Sequence, residues 1–294
     1  MDSRKSDDEA KVANLAPELQ ASYRRMEASI QKREAEKIYQ LEMWPEKDLG
    51  VPNELSRSAL FAAIDPRKPR AHLQNQFIAA QGGYSIHYTG PQLDQSYFDV
   101  FQGIVHIARG VHEGNEVRFT AHQLLKLIGR STGGDQHKWL YIAFQNLTAT
   151  SVAIVKDGKR VFWDSLLRRG QGDIETGKYV IEISRDLAKL FERGFTRVEW
   201  EQRRRLIRKP LAQWLHFYYS SHAKPVPVSV EWLRETSGST TQVLRKFRQN
   251  LKAALRQIQD VGVISEWHID SKTDLVHVTR IPSPSQLKYL NRQK

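Results

Sequence analysis

The sequence predicts an α+β fold: two tandem winged-helix domains of the helix-turn-helix class behind an N-terminal arm that is helical or flexible. Three observations carry this. Helix-length apolar periodicities and strand-length alternations follow one another in the same order twice, over residues 96–166 and again over 209–279. Positive charge is local: the 294 residues hold 45 Lys and Arg against 33 Asp and Glu, yet residues 201–256 alone hold twelve against three. Hydrophobic residues make up 40% and aromatics 10%, with seven Trp, enough apolar mass for one or two packed cores.

In chain order, residues 1–43 carry a thin helical stripe, Leu15, Leu19, Tyr23, Met26 and Ile30, with Asn14 as cap and Pro17 in the first turn. Four prolines (45, 52, 66 and 69) and Gly50 mark residues 44–69 as an extended connector, ending in the basic loop Arg67-Lys68-Pro69-Arg70. The first copy of the plan then runs as a helix 96–108, a strand 116–119, a helix 121–128 closed by Gly129, a Ser-Thr-Gly-Gly turn and a helix 135–147. Strands 151–155 and 160–166 follow, joined at Asp157-Gly158, a dipeptide suited to a tight hairpin. Between the copies lie a strand 178–183, a helix 185–192 capped by Ser184, and a strand 197–203. The second copy has a helix from Pro210, a strand 227–230, a helix 231–236, the turn Ser237-Gly238-Ser239, a long helix 240–260 closed by Gly262, and strands 263–269 and 275–279. The expected units are an arm and linker (1–53), a first winged helix (54–200) and a second with a C-terminal tail (201–294).

In this architecture the third helix enters the DNA major groove and the hairpin touches the backbone beside it. On helix 240–260, Val243, Leu244, Phe247, Leu251, Ala254, Leu255 and Ile258 form the core face. Gln242, Arg245, Gln249, Lys252 and Arg256 lie opposite, flanked by Lys246 and Arg248, with no acidic residue on that side. Arg and Gln pair two ways with guanine or adenine edges, and Lys suits phosphates, so this face is expected to bind double-stranded DNA. The helix 135–147 is less polar: Gln136, His137, Lys138 and Tyr141 offer DNA contacts, while Trp139, Leu140, Phe144 and Leu147 fit a plain core equally well. Lys156, Lys159 and Arg160, with Arg168 and Arg169, are expected as backbone contacts of the first wing.

Other chemistry finds little support. With no Cys, the chain has no disulfides, thiol nucleophile or cysteine-bound zinc, which fits a reducing cytoplasm. No apolar run reaches membrane-spanning length and the mixed-charge N-terminus is unlike a secretory signal, so a cytoplasmic protein without membrane partners is expected. Residues 172–178 match a phosphate loop at their glycines and lysine, but Tyr179 replaces the magnesium-binding hydroxyl, Asp173 and Glu175 repel phosphate, and a strand follows. No His-Glu-x-x-His motif or His-x-His pair is present. An enzyme is not expected, nor a metal or cofactor.

Several stretches resemble the TrfA-type replication initiators of iteron-bearing plasmids: Ser56-Arg-Ser-Ala-Leu-Phe61, Ile86-His-Tyr-Thr-Gly90, the surroundings of Thr148–Thr150, and Arg203-Arg-Arg-Leu206 leading to Phe217-Tyr-Tyr-Ser-Ser-His222. The resemblance spans roughly residues 40–281. It implies a protein of a bacterial cytoplasm that binds direct repeats at a plasmid origin, opens the adjacent A·T-rich duplex and recruits host replication proteins, helicase and host initiator among them. It also implies self-association as a homodimer through the first domain. A winged-helix transcriptional repressor that leaves the duplex closed is the alternative. The family further carries a sliding-clamp peptide just before a similar connector, and Gln40-Leu41-Glu42-Met43-Trp44 matches its form. Gln40 would supply amide hydrogen bonds, while Leu41, Met43 and Trp44 fill one apolar pocket. In the competing account these apolar side chains fold back on the first domain and are buried.

Overall fold

The computed structural model describes residues 17–22, 24–26, 44–109, 116–173 and 175–292. The chain divides into two compact units, residues 1–39 and 40–294. In the first, residues 17–22 and 24–26 are helical, with Leu19 and Met26 exposed. Leu15, Tyr23 and Ile30 of the expected stripe lie outside the described residues.

The second unit begins where a connector was expected, and that expectation is corrected. Strand β1 (Asp48–Pro52) pairs antiparallel with the later strand Phe195–Glu199, and its Leu49 and Val51 are fully buried. A short helix α1 (Asn53–Ser56) and strand β2 (Phe61–Ala62) follow. The prolines punctuate short buried pieces: Pro52 closes β1 immediately before α1, where its missing N–H costs nothing. Two strands not foreseen come next, β3 (His72–Ile78) and β4 (Tyr84–Pro91), and then β5 (Leu93–Asp94), parallel to β2.

The first winged helix has α2 (Gln95–Ala108), β6 (Glu116–Thr120), α3 (Ala121–Leu127) and α4 (Gly134–Thr148) close to the expected places. Asp94 caps α2, accepting from the N–H groups of Ser96 and Tyr97 at 2.6 and 3.0 Å, and Thr120 caps α3. Strands β7 (Ser151–Lys156) and β8 (Lys159–Asp164) form the expected hairpin, with Asp157 and Gly158 at φ +50° and +73° as a two-residue primed turn requires. This hairpin is not the wing. It completes a four-stranded antiparallel sheet, β3-β4-β7-β8, whose inner face buries Ile86, Tyr88, Val152, Ile154 and Phe162. The wing is the next hairpin, β9 (Leu167–Asp173) and β10 (Lys178–Ile183), which forms the sheet β6-β10-β9.

Helix α5 (Arg185–Glu192), capped by Ser184, precedes β11 (Phe195–Glu199), and helix α6 (Trp200–Arg204) replaces the end of the strand expected to reach Arg203. The second winged helix has α7 (Pro210–Ser220), β12 (Val228–Ser229), α8 (Val230–Thr236), α9 (Leu244–Asp260), β13 (Ile264–Ile269) and β14 (Leu275–Arg280). Its sheet order, β12-β14-β13, repeats that of the first copy: first strand, last strand, middle strand. A terminal helix α10 (Pro284–Arg292) lies where a tail was expected.

The two copies share a core. Phe98 of α2 packs on Phe217 of α7 with ring centroids 4.9 Å apart, and Ala63 belongs to the apolar cluster of the second copy. Arg203, 1% exposed, ties them: its Nε donates to Asp99 Oδ1 at 2.6 Å, Nη1 to the Gln213 carbonyl at 2.6 Å and Nη2 to Gln95 Oε1 at 3.0 Å. Gln213 Nε2 reaches the other Asp99 oxygen at 3.1 Å, so the buried carboxylate is well satisfied. No helix of the described residues is long and apolar enough to cross a membrane.

Candidate nucleic-acid interface

Each recognition helix is delivered by a turn. In the second copy, Gly238 at φ +64° breaks the chain after α8, and Ser239 Oγ accepts from the Thr241 N–H at 3.3 Å. Such side-chain bonds compete with helix formation, so α9 starts at Leu244 and not at Thr240. Val243 is therefore the residue before the helix and is 63% exposed, a correction to its expected place in the core. Phe247, Leu251, Ala254, Leu255 and Ile258 are buried as expected.

The outward stripe forms as the periodicity requires. Arg245, Lys246, Gln249, Lys252 and Arg256 are all exposed on α9, and Gln242 is exposed in the turn before it. Arg248 is different: it is partly buried, and its Nε and Nη2 grip the Asp274 carboxylate at 2.9 and 2.7 Å. That hydrogen bonding raises the guanidinium pKa further and braces the recognition helix against the start of β14. Arg248, expected among the DNA contacts, is thus committed to its own wing. At the tip of that wing the Asp270 carboxylate accepts from the N–H groups of Lys272 and Thr273 at 2.8 and 2.7 Å, leaving the Lys272 side chain exposed. Lys272 was missed in the sequence, where the only signal is a lone lysine at a hairpin turn.

On the first recognition helix, α4, Lys138 and Tyr141 are exposed, joined by Ile142 and Gln145. Leu140, Phe144 and Leu147 are core. Trp139 is rim: Arg130, in the turn before α4, stacks its guanidinium 3.6 Å above the indole and donates to Gln136 Oε1 at 3.0 Å. His137 is half-buried beside Gly177 of the wing turn.

Lys156, Lys159 and Arg160 belong to the four-stranded sheet, so their assignment to a wing is corrected; an Asp-Gly turn marks a hairpin but not the sheet it joins. Lys156 Nζ donates to Tyr84 Oη at 3.3 Å, and Arg160 lies 5.0 Å from the Trp163 ring. On the true wing, Arg168 and Arg169 of β9 both pair with Glu182 of β10, at 3.4 and 2.5 Å. The glycines and lysine that imitate a phosphate loop lie in this wing, and Lys178 opens a strand.

Gln40, Leu41 and Met43 lie outside the described residues. Trp44 is 3% exposed, stacked on Phe191 at 5.5 Å with Phe195 at 5.9 Å. Its Nε1 donates to His106 Nδ1 at 3.3 Å, and Trp200 Nε1 does the same from the other side. The indole is therefore a fold-back anchor, as in the second account of the peptide, and not a free docking residue.

A family model described as TrfA protein matches residues 5–280. The plasmid replication initiator protein TrfA of Escherichia coli is 27% identical over 282 residues, covering 92% of this chain and 70% of that protein. Among solved structures, domains 2 and 3 of RctB share the fold with a TM-score of 0.52 at 14% identity, covering 78% of this chain and 98% of that one. The Pi initiator protein, solved in complex with iteron DNA, gives a TM-score of 0.51 at 13% identity, covering 81% and 100%.

Proposed function

The chain belongs to the TrfA protein family, and on that membership together with its two outward-facing recognition helices we propose that it is a plasmid replication initiator binding direct repeats of origin DNA. The observation that carries the binding mode is the stripe on α9: five exposed basic or amide side chains, no carboxylate among them, on a helix braced to its wing through Arg248 and Asp274. Arg245 and Gln249, one turn apart, read base edges, while Lys246, Lys252, Arg256 and Lys272 hold phosphates. Lys138, Tyr141 and Gln145 of α4 enter the neighbouring major groove. The similarity of the fold to Pi, a protein solved in complex with iteron DNA, supports repeat binding by this fold here.

Opening of an A·T-rich duplex and recruitment of host helicase and initiator are the activities that family membership suggests. Replacing Arg245 by Ala is expected to cost about 1–3 kcal/mol of binding and to relax preference at one base pair. Equal weakening on all sequences would make Arg245 a phosphate contact only. Single-strand-specific chemical probing of a repeat-bearing origin separates initiator from repressor, since a repressor binds and leaves the duplex closed.

Clamp recruitment through Gln40, Leu41 and Met43 is part of the proposal, with Trp44 either withdrawn from its aromatic stack or left out of the contact. Loss of clamp binding in Leu41→Ala at unchanged DNA affinity is the expected result, and no clamp binding by the parent protein refutes it. Self-association through the first copy finds its support in Phe77 and Trp163, 55% and 63% exposed on the outer face of the four-stranded sheet. Only monomers in sedimentation at high micromolar concentration would count against it.

A further inference from the structure

The segment Arg208-Lys209-Pro210, which joins the two winged helices, separates two crevices. One, of about 560 Å³, is walled by Arg130 and Trp139 of the first helix-turn-helix and by Asp65 and Arg67. The other, of about 400 Å³, is walled by Lys68, by the turn Ser239-Thr240-Thr241 leading into α9, and by Asn250 and Gln257 on the flank of that helix. Arg208 lines both. It therefore lies between the two turns that deliver the two recognition helices.

Three features set Arg208 apart. Its backbone is in the left-handed region at φ +62°, which a side chain with a Cβ adopts only at a cost, and such outliers gather at functional sites. Its side chain is exposed and makes no hydrogen bond or ion pair with any of the described residues. The one carboxylate in the crevice, Asp65, is engaged by Arg67 through two bonds of 3.0 Å. The charge of Arg208 also presses on the nearby Arg130 guanidinium. The fold thus holds an unneutralised cation, at a conformational cost, between its two DNA-reading elements.

Resting on the reading of both recognition helices as major-groove elements, we infer that Arg208, assisted by Lys68 and Lys209, binds backbone phosphates of the duplex between the two major grooves. A duplex that offers successive major grooves to α4 and α9 must pass its minor groove, and the two phosphate rows that border it, across whatever lies between the helices. In this protein that is the Arg208 segment. The contact carries no base information and sets the register of one reading helix against the other.

The test uses the full-length chain with Arg208→Gly, which removes the cation and suits the left-handed backbone. Expected are binding five- to tenfold weaker, by about the same factor on every repeat sequence, and a log–log salt slope shallower by about 0.9. Ethylation of phosphates between the two major-groove contacts should interfere with the parent protein and not with the variant. The variant should also melt about 1–3 °C higher, a gain that a purely structural arginine would not produce. Unchanged affinity and salt slope overturn the inference; if Arg245→Ala still loses base preference, the DNA-binding function stands without it. Should Arg208→Gly melt lower as well as bind weaker, Arg208→Lys decides: restored binding supports the phosphate contact, and no restoration overturns it. A parent protein that binds no repeat DNA overturns the functional reading itself.

Discussion

Arg245 and Arg248 stand three positions apart on one helix, and their neighbours give the same side chain different work. Arg245 points into solvent beside Gln249, while Arg248 is turned aside by the Asp274 carboxylate. Periodicity places a residue on a face; only the partner strand decides whether its charge is already taken. His106 shows the same dependence on surroundings. It accepts from two indoles on one nitrogen, and burial first, then the charge of Arg109, lowers its pKa to about 4, with a hydrogen bond to the Asp48 backbone working the other way. Burial, then Arg57, lowers His222 to about 4 as well. Both imidazoles are neutral in the folded protein and titrate near 6.5 once unfolded. Between those values the unfolded chain binds more protons, so their contribution to stability is complete above about pH 6.5 and is lost as pH falls towards 4. Urea midpoints at pH 7.5, 6 and 5 should fall in that order. His106→Asn, which keeps an acceptor for the indoles without the titration, should flatten part of the slope; a midpoint independent of pH would refute the assignment.

Elements with strong periodicity were legible at the sequence level: β10 and α5 have the expected boundaries, α2, α3, α4 and α8 lie within a residue or two of theirs, and α7 starts at the expected Pro210. The strand β3 was not, because it is an edge strand exposed along most of its length and so has no apolar alternation to show; β4, whose Tyr84, Ile86 and Tyr88 do alternate, was missed with it. The first wing was misplaced for a related reason. Gly170 and Gly172 make β9 look like a loop, yet both are small so that β10 side chains can lie across them. A Cβ on Gly172 would stand 2.4 Å from the Tyr179 ring. Gly172→Ala is therefore expected to cost about 1–3 kcal/mol, seen as a lower urea midpoint, because the ring or the wing must move. An unchanged midpoint would mean that the strand is loose enough to yield. Of the candidate site, the stripe on α9 was readable because its neighbours are local. The burial of Trp44 was one of two accounts the sequence left open, and the engagement of Arg248 was not readable at all, since Phe191, His106 and Asp274 come from distant parts of the chain.

At the scale of the molecule, the bond network around Arg203 and Asp99 joins α2, α6 and α7, so residues 40–294 form one compact unit with two recognition helices at fixed separation. Rigid mounting turns the pair into a caliper for DNA. Each added base pair advances the duplex by about 3.4 Å and turns it by about 35°. A protein whose two readers swivelled independently would follow such an insertion; one whose readers are locked through a buried arginine will not. Inserting one base pair between the two contacted stretches of a repeat is expected to reduce gel-shift affinity to that of a single reading helix. Inserting a whole helical turn restores the facing but not the distance, and should fail as well. Undiminished binding to either spaced repeat would show that the jaws open. Failure of both spaced repeats would give the lock a second kind of selectivity, for helical phase, which no single side chain at the DNA surface supplies.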